Sequence, residues 1–138
     1  MNCTSYDLDN EKAFAARVSE RFPNVRLAKL SNFQKLDFAA LIEDRVVAFI
    51  EFKQRTHRSD SFKDAFLNCQ KLVACRSLHE TTGLPVLVAF AFDDGIDLLY
   101  QFDPNDRFPI AVCNGEAVAK MPLSKFFRLN SFPAKLAS

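Results

Sequence analysis

Apolar residues recur along this chain with two different periods, and the alternation between them outlines the fold. Over residues 9–22, Phe14, Val18 and Phe22 return every four positions with Ala15 beside them, which predicts a helix that Asp9 can cap and Pro23-Asn24 ends. Residues 25–30 read as a short edge strand. Two stronger strands follow, Leu36–Ile42 and Arg45–Phe52, with Glu43-Asp44 projecting between them as a tight antiparallel hairpin. The second strand is nearly continuous in apolar residues, the pattern of a strand covered on both faces. After a polar loop, Phe62, Ala65, Phe66, Cys69, Leu72 and Val73 make a stripe that predicts a helix over 61–79, with Gly83 just past its end. Leu84–Phe92 and Ile96–Phe102 read as strands joined by Asp93-Asp94-Gly95. Residues 108–112 add an edge strand, and Pro122–Phe127 a last short helix.

A helix between the second and third strong strands acts as a crossover, so the sheet should be mixed, with four or five strands and helices packed on it. Length, 138 residues, fits one domain, with a core over about 9–102 and a C-terminal extension over 103–138. Fifteen phenylalanines and no tryptophan make that core phenylalanine-rich. No apolar run is long enough to span a membrane, and the N-terminus lacks the basic start and apolar run of a signal peptide, so the expectation is a cytoplasmic protein. Cys3, Cys69, Cys75 and Cys113 form no C-x-x-C pair, and His57 and His79 do not complete a zinc pattern; reduced thiols are the plain reading. The net charge of +1 argues against a surface that is basic throughout. It still allows one local strip for phosphate contacts, Lys53 to Arg58.

The candidate chemistry lies where charges interrupt apolar strands. Asp37 breaks the first strong strand, and Glu51 and Lys53 close the second. A buried carboxylate needs a partner, an ion or a strand end. Glu51 and Lys53, two residues apart, share one face. A three-residue hairpin loop would set Asp37 opposite Glu51, whereas a two-residue loop would set Leu36 there. In the first register two carboxylates converge beside one ammonium, a set that can hold Mg²⁺ through oxygen ligands for phosphodiester hydrolysis. The same residues also fit a plain Glu51–Lys53 ion pair with Asp37 at a strand end.

Leu36-Asp37-Phe38, thirteen residues, then Glu51-Phe52-Lys53 resembles the motif of the PD-(D/E)xK nuclease superfamily, and the helices and strands around it follow that superfamily's order over about residues 9–102. Leu36 stands where the motif's proline would be, a position with no chemistry. The resemblance implies a restriction-endonuclease-like α/β fold of αβββαββ order. It also implies a nuclease that uses Mg²⁺, with Mn²⁺ as substitute, at Asp37, Glu51 and Lys53. It makes Glu11, in the first helix, a further metal ligand, with Glu20 as the weaker competitor and a favourable helix-dipole position as its plain alternative. Gln70, in the helix after Glu51-Phe52-Lys53, is similar to a site glutamine of Holliday-junction resolvases and VRR-type nucleases, and is otherwise a boundary residue. Arg55, His57 and Arg58 then fall at the rim as DNA contacts, extended by Lys63, with Lys71 expected to be solvated. The layout is most similar to resolvases and phage-type endonucleases acting in DNA recombination or repair, which implies a homodimer. The competing reading is a nuclease-fold module that binds DNA or a protein partner without cutting.

Overall fold

The computed structural model describes residues 5–31 and 35–132, with side chains from Leu8 onward. Its elements are helix α1 (Ser5–Arg21), strands β1 (Val25–Lys29), β2 (Phe38–Ile42), β3 (Arg45–Gln54) and β4 (Asp64–Asn68), and helix α2 (Cys69–Thr82). Strands β5 (Val86–Ala91), β6 (Asp97–Gln101), β7 (Ile110–Cys113), β8 (Glu116–Pro122) and β9 (Phe127–Arg128) follow. Six strands form a central sheet in the order β1-β2-β3-β5-β6-β9, and the other three form a second sheet, β4-β8-β7. Strand β5 runs parallel to β3, and the remaining neighbours in the central sheet are antiparallel. The expected mixed α/β architecture is therefore present, with a two-residue sixth strand added at the edge.

Both faces of the sheet are covered, which explains the unbroken apolar run of β5. Leu87, Ala89 and Ala91 turn toward α1, where they meet Phe14, Val18, Ile50 and Phe52. Val86, Val88 and Phe90 turn toward α2 and the second sheet, against Ala74, Cys75, Leu67 and Met121. Helix α1 begins at Ser5, four residues ahead of the capping position expected at Asp9.

The largest departure from the sequence pattern concerns residues 61–79. Helix α2 starts at Cys69, where the Asn68 side chain accepts the Gln70 N–H at 2.8 Å, and it ends at Gly83 in the left-handed conformation, as expected. The preceding five residues are strand β4, paired with β8. Ala65 and Leu67 are buried while Phe66 between them is exposed, so the local period is two. A partner about fifty residues away outcompetes a local helical period, and the apolar stripe was the sum of two elements. The last expected helix is a 3-10 turn, Leu123–Lys125, between β8 and β9.

The β2–β3 hairpin resolves the choice of register. Its turn has two residues, Glu43 (φ 53°) and Asp44 (φ 61°), both left-handed as tight hairpins require. That turn pairs Leu41 with Val46, yet Ala40 pairs with Ala48. A bulge between them adds one residue to β3 and restores the alignment that a three-residue loop would have produced.

Candidate active site

With Phe38 opposite Ile50, the next step along the hairpin sets Asp37 beside Glu51. Asp37 Oδ2 accepts the Phe52 N–H at 2.8 Å, anchoring its carboxylate next to the Glu51 backbone. Burial pushes the Asp37 carboxyl up, but the Phe52 N–H and the Lys29 ammonium outweigh it and the net shift is downward. Asp37 is held as a carboxylate.

Glu51 is 1% exposed. Its Oε2 lies 3.2 Å from Lys53 Nζ and 3.4 Å from Lys71 Nζ, whereas Oε1 is buried without a hydrogen-bond partner. Burial and the nearby Asp37 charge raise its pKa to about 7, and the two lysines offset them only in part. Both ammonium groups take the same oxygen, which leaves the other aimed at nothing.

Glu11, on α1, is also buried, and Lys29 links it to Asp37, with Nζ 2.6 Å from Glu11 Oε1 and 3.3 Å from Asp37 Oδ1. Burial and the Asp37 charge raise the Glu11 pKa despite the Lys29 hydrogen bond. Burial also acts against the Lys29 ammonium, but its two carboxylate partners prevail and its pKa is raised. Glu11 Oε2 is a second buried oxygen without a partner.

Two carboxylate oxygens without partners, on Glu51 and Glu11, each beside the Asp37 charge, are the donor type of a hard divalent cation, which takes oxygen ligands and relieves like-charge repulsion. The donor chemistry fits such an ion, although among the described residues no group of three His, Cys, Asp or Glu side chains is placed so as to hold a metal ion.

The remaining candidates divide. Lys53 is at the centre, part-exposed and tied to Glu51. Gln70 is exposed in the first turn of α2. Its neighbour Lys71, expected to be solvated, instead turns inward to Glu51 and donates to the Lys35 carbonyl at 2.9 Å. Glu20 is exposed near the end of α1, nine residues beyond Glu11. Arg55, expected at the rim, has its guanidinium 4.9 Å from the Phe90 ring centre and 2.7 Å from the Phe66 carbonyl, so it braces β4 against the central sheet. His57 packs edge-on against Phe62 and Phe92. Arg58 is exposed and paired with Asp60, with Asp94 at 4.0 Å. Lys63 is exposed beside the loop. Sequence reasoning missed Lys29 and the inward turn of Lys71. Lys29 lies on a strand with little periodicity, and Lys71 was assigned its direction from a helix that starts eight residues later than expected.

A family model described as "Phage putative PDDEXK endonuclease" matches residues 2–110. The chain belongs to that family. Among solved structures, the fold is similar to that of Hjc, a Holliday junction resolvase from the archaeal hyperthermophile Archaeoglobus fulgidus, with a TM-score of 0.62 at 12% identity, over 88% of this chain and 98% of that one. At that identity the likeness is one of fold. No protein of curated function shows a significant match. No helix among the described residues is long and apolar enough to cross a membrane.

Proposed function

We propose that this member of the phage PDDEXK endonuclease family hydrolyses DNA phosphodiester bonds with a divalent cation, Mg²⁺ or Mn²⁺, held by Asp37, Glu51 and Glu11. The observation that carries the reading is Glu51, buried beside Asp37 with Oε2 saturated by two lysines and Oε1 without a partner. When bound, the cation supplies charge stabilisation to the phosphoryl transition state and makes a nearby water more acidic. Asp37 remains ionised because the Phe52 N–H and Lys29 favour its charged form. Lys53 orients the attacking water and balances the charge that builds on the phosphate oxygens. Lys71 holds Glu51 in place from α2. The fold shared with a Holliday junction resolvase supports branched DNA as the substrate form. Cutting two strands symmetrically calls for two sites, hence two copies of the chain.

The test is incubation with supercoiled plasmid and with a branched junction in Mg²⁺, Mn²⁺ or EDTA, alongside Asp37→Asn and Lys53→Met. The expected result is cleavage that needs the cation and disappears in both variants. Cleavage that survives Asp37→Asn would place the reaction elsewhere, and DNA binding without any cleavage would favour a non-cutting module.

A further inference from the structure

Beside Lys53 opens a groove of about 710 Å³, lined on one side by the loop after β3 and on the other by β4 and the tip of the β7–β8 hairpin. Its wall carries two large exposed rings, Phe62 (62% exposed) and Phe66 (42% exposed), the exposed phenylalanines among the described residues. Two exposed aromatic rings lining one groove form a contiguous apolar patch of the kind that marks a binding site. Phe62 is backed by His57, which in turn packs on buried Phe92, so the ring stands on an aromatic support running out from the core. Phe66 is on β4, and its carbonyl is fixed by Arg55. The Phe62 ring is therefore held in place, and the Phe66 backbone is anchored on the opposite wall.

Three cations, Lys53, Arg55 and Lys63, share the groove with two carboxylates, Asp64 and Glu116. The electrostatic pull is positive but slight, and Arg55 is already spent within the protein. Tight phosphate tracking alone cannot account for the surface. Exposed rings on a groove wall with modest positive charge are the combination that stacks unpaired bases. The bases of a duplex are already stacked on one another and cannot reach such rings.

Resting on the nuclease reading, we infer that the groove binds unpaired DNA nucleotides next to the scissile phosphate, with bases stacked on Phe62 and Phe66 and a phosphate near Lys63. The enzyme then prefers DNA in which a single strand departs from a duplex, because that strand can enter the groove while its phosphate lies at Lys53.

The test measures binding in EDTA, where no cutting occurs, by fluorescence anisotropy with labelled oligo(dT) and with a blunt duplex of equal length. Oligo(dT) should bind more tightly than duplex. Phe62→Ala and Phe66→Ala should each weaken oligo(dT) binding by roughly tenfold and leave duplex binding unchanged. Phe62→Trp should restore it, which separates lost stacking from a disturbed loop. Lys63→Gln should reduce the salt dependence of oligo(dT) binding by about one phosphate contact. Equal or tighter binding of duplex, undiminished oligo(dT) binding in both alanine variants, or no oligo(dT) binding at all would overturn the inference. Because cleavage is measured separately, a protein that binds oligo(dT) through Phe62 and Phe66 but never cuts would refute the nuclease reading and leave only the single-strand groove standing.

Discussion

Replacing Glu51 by glutamine removes a charge that the metal-free fold holds at a cost. The Glu51 carboxyl, 4.5 when unperturbed, rises to about 7 because it is buried beside Asp37. Its folded-state value lies above the unfolded one, so its contribution favours folding most below about pH 4.5 and is lost as pH rises through about 7. At about 1.4 kcal/mol per tenfold change in proton affinity, the ionised group costs about 3 kcal/mol at pH 8 and under about 1 kcal/mol at pH 5. Glutamine keeps the shape without the charge, and Lys53 and Lys71 are part-exposed, so water can solvate them once Glu51 is neutral. Thermal denaturation in EDTA should therefore show Glu51→Gln melting roughly 10 °C above the native protein at pH 8, with the gap mostly closed at pH 5. Adding Mg²⁺ should raise the melting temperature of the native protein and shift the variant much less, because a neutral amide oxygen is a far weaker ligand for a hard cation than a carboxylate. A variant no more stable than the native protein at pH 8 in EDTA would refute the argument. It would mean that the lysine pairs, and not burial, set the energy of this carboxylate.

Lys29→Met should lower stability in EDTA by about 1 kcal/mol after allowance for the exposure of the lysine, and should enlarge the melting shift on adding Mg²⁺, since Glu11 and Asp37 then lack their bridging cation. An unchanged metal response in calorimetry or melting would count against these carboxylates sharing an ion. Lys71→Met should lower kcat by roughly ten- to a hundredfold with little change in KM, with partial recovery in Lys71→Arg, because it positions Glu51. A rise confined to KM would mean that it contacts DNA alone. Glu43→Asn combined with Asp44→Gly should stabilise the protein by about 1 kcal/mol in urea denaturation, because both positions are left-handed and the Arg26–Asp44 pair it removes is exposed and long at 3.9 Å.

The match of Leu36-Asp37-Phe38 and Glu51-Phe52-Lys53 to the nuclease motif was visible from residue types and spacing, and so were α1, the hairpin, the parallel crossover and β5. Each of these rests on short-range periodicity, which the chain carries locally: every fourth residue apolar in α1, a continuous apolar run in β3 and β5. The alignment of Asp37 with Glu51 was not legible, because a two-residue turn alone predicts the wrong partner and the bulge that corrects it leaves no mark in the sequence. Strand β4 was hidden for a related reason. Ala65 and Phe66 belong equally well to a helical stripe, and pairing with β8, whose residues lie about fifty positions downstream, tips the balance.

What the sequence determined by itself was therefore the set of candidate carboxylates and lysine, together with the elements that bear them, since these depend on near neighbours along the chain. Tertiary structure alone decided which atoms meet: Lys29 between Glu11 and Asp37, Lys71 with Lys53 on one oxygen of Glu51, and Phe62 and Phe66 left outside the core. Such contacts join residues far apart in the chain, and they follow from strand pairing and helix start points that shift whole faces by one residue.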